Sequence, residues 1–155
     1  MGTNCEELIT SLERARQELN LVLERITPQT EIYPSWKLKQ LLDHITGWDE
    51  LMVSVYRTHS QGGTPARVVR HGIDSFNDEL ISARKALSIQ ESRNSFNTAR
   101  AEVIQALHDM PAECLELEFK APWPGTCTVE KSVEILVKHE KEHARQIREI
   151  LKNSQ

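Results

Sequence analysis

The chain has 155 residues, 39% of them hydrophobic and 27% charged, with 19 basic and 23 acidic side chains giving a net charge of -4. That length points to one domain spanning the chain, able to bury roughly 70% of its unfolded surface without disulfide staples. The acidic balance, with Lys and Arg interspersed among acids, gives no electrostatic footprint for nucleic acid, and no apolar run is long enough to span a membrane.

The amino-terminal stretch MGTNCEELIT has no apolar signal core, and Glu6 stands where a myristoylation motif needs Ser or Thr. Cys5, Cys114 and Cys127 are odd in number and scattered. They suit a reducing compartment, so a cytoplasmic protein is expected.

Four long helical segments follow in order. The first runs from about Cys5 to Ile26, with Thr3 and Glu6 read as a capping box and Pro28 as the stop. Leu8, Leu12, Ala15, Leu19, Val22 and Ile26 recur at helical spacing. A second segment covers about Trp36 to Thr58, with Ser35 read as its cap. Its apolar face includes Leu38, Leu41, Leu42, Ile45, Trp48, Met52 and Val55.

His59 to Gly72 reads as a loop, by its glycines and proline. The third helical region spans about Asp74 to Met110 and breaks near Ser88, where Ser88 and Glu91 form a capping box. Ala121 to Cys127 is turn-rich, and the fourth helix runs from about Thr128 to Lys152. No strand alternation stands out. The fold expected is all-α, an antiparallel four-helix bundle with a break in the third helix.

The fourth helix carries HEKEH, which satisfies H-E-x-x-H, the helical signature of zinc proteases. Leu136, His139, His143, Ile147 and Ile150 share one face, so both histidines lie in the apolar stripe, one turn apart. On the second helix His44 shares a face with Leu41, Trp48, Leu51 and Val55. Three imidazoles on the inner faces of two helices would hold a divalent metal and leave coordination positions open. The plainer reading makes them buried core histidines. His59 and His71, in a polar loop, and His108, at a helix end, read as surface residues.

Proteolysis does not fit. Gln146 and Glu149 occupy the places where an extended zinc-protease motif needs a glycine and a third histidine, only twelve residues follow His143, and no sheet is evident to hold an extended substrate. Glu140 lies about 100° around the helix from His139 and roughly 60° from His143, which suits a flanking carboxylate or general base rather than a ligand. Asp43, Asp49 and Glu142 also flank the histidines as candidates to orient an imidazole. Trp48, one turn from His44, is a candidate wall of a cofactor site as well as a core residue. Cys127, just before the fourth helix, is a candidate for a thiol made acidic by the helix dipole, or else a small buried side chain.

WKLKQLLDHITGWDELM (Trp36 to Met52), IDSFNDE (Ile73 to Glu79) and PWPGTCTVEKSVEILVKHEKEHARQI (Pro122 to Ile147) together resemble the DinB-like superfamily, also called the YfiT-like metal-dependent group. The matching features are a Trp, a His eight residues on and an aromatic four beyond that (Trp36, His44, Trp48), then H-x-x-x-H followed by Gln and Ile. The resemblance implies a four-helix bundle, commonly a homodimer, with zinc or nickel held by His44, His139 and His143. Characterised members include thiol-S-transferases that use bacillithiol or mycothiol, and a mycothiol-dependent maleylpyruvate isomerase. By that analogy the metal would activate a low-molecular-weight thiol or water against a small-molecule substrate, in transferase or hydrolase chemistry. The alternative is a non-catalytic, dimeric metal- or ligand-binding protein of stress response.

Overall fold

A computed structural model describes residues 2–154; Met1 and Gln155 lie outside the described residues. Five helices carry the fold: α1 (Cys5–Leu23), α2 (Leu38–Ser60), α3 (Ile73–Ala83), α4 (Ile89–His108) and α5 (Val129–Asn153). A 3-10 turn (Ala112–Glu116) and a two-residue hairpin, β1 (Phe119–Lys120) with β2 (Thr126–Cys127), link α4 to α5. That small antiparallel ladder is absent from the sequence-based expectation, because two residues per strand are too few to show alternation.

Side-chain pairings fix the directions of the helices. Arg16 reaches both the Phe96 carbonyl and Glu140, Leu12 meets Arg100, and Cys5 meets Leu107, so α1 and α4 are antiparallel. His44 meets His139 while Tyr56 meets Ser132, so α2 and α5 are antiparallel too. Asp43 pairs with Ser92 and Asp49 with Arg100, which makes α2 and α4 parallel. Arg16 with Glu140 and Glu18 with Arg148 make α1 and α5 parallel. The bundle of α1, α2, α4 and α5 is thus up-down-down-up. The connection from α2 to the parallel α4 must return along the bundle, and α3 lies within it.

α3 has no fully buried residue. It rests on α2 where Gly47 leaves room: a Cβ on Gly47 would stand 2.8 Å from both Leu80 methyls. The glycine inside ITGWDE is therefore a contact surface, despite its roughly 1 kcal/mol cost in helix propensity.

Caps explain the boundaries. Asn4 caps α1, its side chain accepting from the Glu7 amide at 3.2 Å. The expected Thr3–Glu6 box does not form, since the Thr3 amide is turned to Glu116; Asn and Thr are adjacent and either suits the role. α2 begins after Lys37, whose amide donates to Gln40 Oε1 at 2.9 Å. Ser35 is not its cap. It sits at φ 70 inside a tight turn, Tyr33 to Trp36, closed by Trp36 N–H to the Tyr33 carbonyl at 2.8 Å. Proline then a left-handed residue is the arrangement of a type II turn, and a serine there carries backbone strain of about 1 kcal/mol. The Ser88–Glu91 capping box forms as expected, and Thr128 caps α5.

Two apolar clusters fill the bundle. One centres on Leu12, Met52, Tyr56, Val103, Leu107 and Val133, the other on Leu19, Leu38, Leu41, Leu42, Phe96 and Ile147. Each fully buried Leu or Ile adds about 1.5–3 kcal/mol. Between them lies a polar layer made of one residue from each bundle helix. Arg16 donates to Glu140 Oε1 at 2.7 Å and to Asp49 Oδ2 at 3.0 Å; Arg100 donates to Glu140 Oε1 at 2.6 Å and to Asp49 Oδ1 at 3.1 Å. All four are buried, with charges that cancel. Among the described residues, no helix is long and apolar enough to cross a membrane.

Candidate metal centre

His44 on α2 and His139 and His143 on α5 converge at the level of this polar layer. His139 Nε2 lies 3.1 Å from His44 Nε2 and 2.9 Å from His143 Nε2, and one ring nitrogen from each residue falls within 4.8 Å of the others. A tetrahedral or octahedral ion with metal–nitrogen bonds of ~2.0–2.1 Å sets neighbouring nitrogens about 2.9–3.4 Å apart. The two short separations match. His139 and His143 come from the i, i+4 spacing of one helix face, and His44 from the facing antiparallel helix.

Burial keeps these rings neutral, the form that binds metal. Desolvation first, then the neighbouring imidazoles, lowers His44 and His143 to about 3. His139 is also lowered by burial, with Glu140 and Asp49 acting in the opposite direction.

The Tyr33–Trp36 turn brings two aromatics over the cluster. The Tyr33 hydroxyl lies 2.6 Å from His143 Nδ1 and also donates to Gln146 Oε1. A hydroxyl whose proton goes to Gln146 accepts from Nδ1–H of His143, which leaves the Nε2 lone pair facing the other histidines. Tyr33 is pushed up to about 12, chiefly by burial, so it keeps its proton. The Trp36 ring stands 5.0 Å from that of His44. His44 Nδ1 is buried with no hydrogen-bond partner among the described residues.

His44 and His139 form one end of a cavity of about 290 Å3, whose wall includes Trp48, Trp123, Met52 and Leu136. The open side of the cluster therefore faces indole and aliphatic carbon. Trp48, singled out from the sequence, lines this wall and donates through Nε1 to Asn77 Oδ1 at 2.8 Å.

The flanking carboxylates are engaged elsewhere. Glu140 is held by Arg16 and Arg100, Asp49 by the same two arginines, and Asp43 by Lys39 Nζ at 2.7 Å and Ser92 Oγ at 2.6 Å. Exposed Glu142 pairs with Arg145 and Gln146. None of the four hydrogen-bonds an imidazole of the cluster.

One further expectation is corrected, and the two alternatives for Cys127 resolve to the small buried side chain. His59 is buried within α2, not a loop residue, with Nε2 2.8 Å from the Cys114 carbonyl oxygen; the glycines that mark the loop begin three residues later. The Cys127 thiol is not made acidic by α5, since burial raises its pKa and Sγ turns to the Thr128 carbonyl. His71 and His108 are exposed, as expected.

Sequence reading missed Tyr33, Asn77 and the Arg16–Arg100 pair. The arginines left a signal. Arg16 lies four residues after Leu12 and three before Leu19, and Arg100 bears the same relation to Phe96 and Val103. A charge in the middle of an apolar stripe implies a buried partner. Tyr33 left none, because a turn places it.

An all-α bundle whose two antiparallel helices bring three histidine nitrogens within 4.8 Å of one another has a donor set suited to a divalent ion. The chain belongs to the DinB superfamily, whose family model matches residues 11–147. Two solved structures share the fold. A mycothiol-dependent maleylpyruvate isomerase superposes with a TM-score of 0.79 at 13% identity, over 94% of this chain and 61% of the other. A histidine-to-alanine mutant of that enzyme gives 0.76 with the same identity and coverage. This chain thus spans about three fifths of their length, and at that identity the likeness is one of fold. No curated protein matches the chain in sequence.

Proposed function

We propose that this protein is a metal-dependent enzyme in which His44, His139 and His143 hold one zinc or nickel ion and a low-molecular-weight thiol or a water attacks a small electrophile. The observation that carries this reading is the convergence of three neutral imidazoles at the end of an apolar cavity. Membership of the DinB superfamily and the shared fold with a thiol-dependent isomerase support it.

A divalent ion held by three histidines lowers the pKa of a thiol or water beside it, supplying a nucleophile at neutral pH. The chain's own residues do the rest. Tyr33 fixes the His143 tautomer, burial keeps the rings deprotonated, and the wall of Trp48 and Trp123 limits competing water. Glu140 belongs in this reading to the buried ion-pair layer, where it sets the rotation of α5 and so the direction of His139; it is not assigned a proton-transfer role. The active form is a homodimer.

Elemental analysis of untagged protein, wild type beside His44→Ala, tests the site. About one zinc or nickel per chain, lost in the variant, is the expected result and leads to screens of thiol transfer and hydrolysis with that ion. Metal-free wild type after incubation with both ions would make the cluster core packing and end the reading.

A further inference from the structure

The cavity beside His44 and His139 is about 290 Å3. An apolar cavity of about 150 Å3 takes up benzene, so this one has room for about two such rings. It sits at the lower end of small-molecule pockets, about 300–1,000 Å3. Trp48, Trp123, Met52, Leu136, Ile73 and Ile135 supply the wall, and among the described residues no Lys, Arg, Asp or Glu lines it.

Its few polar groups are largely spoken for. Trp48 Nε1 donates to Asn77 Oδ1, and Ser132 Oγ donates to the Val129 carbonyl at 2.7 Å while meeting Tyr56 OH. Orienting the Asn77 oxygen toward Trp48 leaves its amide nitrogen as a donor on the wall beside His44, which the Asn77 side chain also neighbours. At the rim, Ile73 is 49% and Ile135 39% exposed. Large aliphatic side chains left in water around a cavity mouth are surface that an apolar ligand covers.

We propose that the substrate bound in this cavity is a neutral, largely aromatic molecule about the size of two fused rings, carrying an uncharged acceptor such as a ketone that the Asn77 amide receives. Away from the histidine end, a carboxylate on the same ring would lose its hydration against indole and aliphatic carbon with no Lys or Arg to pair it. Naming the ligand a substrate rests on the proposed function. The preference of the cavity for neutral aromatics does not, because it is a property of the wall.

The test uses untagged, metal-free protein, tryptophan fluorescence as the readout, and two near-isosteres, 2-acetylnaphthalene and 2-naphthoate. The ketone should bind at least tenfold more tightly than the carboxylate. Ile135→Lys, at a half-exposed rim position, should erase that preference, with Ile73→Lys as a second variant should the first fail to fold. Asn77→Ala should weaken the ketone severalfold. Equal or tighter binding of naphthoate to wild type, or a preference untouched by both lysine variants, would overturn the inference. One metal per chain together with equal binding of the two probes would sink this inference and leave the proposed function standing. A tenfold ketone preference in a chain that takes up no metal would do the reverse.

Discussion

The Tyr33 hydroxyl stands 2.6 Å from Nδ1 of His143, although 110 residues separate the two in the chain. With the hydroxyl proton given to Gln146, His143 carries its proton on Nδ1, and the contact depends on a strained turn at Ser35 rather than on any helix. Removing such a partner of a metal ligand typically lowers affinity by about 10–100-fold. Tyr33→Phe should therefore bind zinc that much more weakly while melting close to wild type without metal. Competition with a chromophoric chelator measures the affinity; an unchanged constant would show that Tyr33 does not orient the ligand.

Glu140 is the first of the two acids in HEKEH, yet its bonds run to Arg16 and Arg100 and not to the histidines. Breaking one member of a buried ion-pair network leaves an uncompensated charge and costs about 3–5 kcal/mol. Glu140→Ala should lose stability on that scale in urea unfolding of metal-free protein. Loss of activity with full stability would instead point to a general base.

The lowered histidines make the metal-free fold acid-sensitive. The unfolded chain binds protons at these residues below about pH 6.5, whereas His44 and His143 in the folded chain resist protonation down to about 3. The unfolded state then holds more protons in that window, so stability falls as pH falls from 6.5 toward 3. At pH 5 the penalty is at most about 2 kcal/mol per histidine, from 1.36 kcal/mol per pKa unit. Melting curves between pH 7 and 4.5 should slope less in His143→Gln than in wild type. Parallel slopes would assign the acid sensitivity to other groups.

Gly47 sets how closely α3 lies against α2. An alanine there gains about 1 kcal/mol of helix propensity but meets both Leu80 methyls at 2.8 Å. With no fully buried residue, α3 should give way before the bundle does. Gly47→Ala should thus change overall stability by less than about 1 kcal/mol yet speed hydrogen exchange in α3, including around Asn77. Unaltered exchange would mean that Leu80 simply rotates aside.

The sequence carried the features with a period and lost those that depend on meeting a distant partner. Apolar stripes located the bundle helices, the Ser88–Glu91 box located the break before α4, and the histidine spacing located the cluster face. The Asn4 cap was obscured by a competing Thr beside it. Helix direction was not legible, because nothing local states that α2 and α4 run parallel. His59 reads as loop because the glycines after it outweigh a helix end held by backbone bonds from Gln61 and Gly63 and by the distant Cys114 carbonyl, which leave no local signal.

His44 and His139 are drawn from helices 95 residues apart in sequence, with α3 and α4 between them. A nascent chain therefore has one imidazole of the cluster and nothing to pair it with until nearly the whole fold has been synthesised. The three ring nitrogens therefore cannot meet early and act as a nucleus for folding. In the proposed reading, loading would be the last event of maturation, and occupancy by metal a report that every preceding helix is already in position.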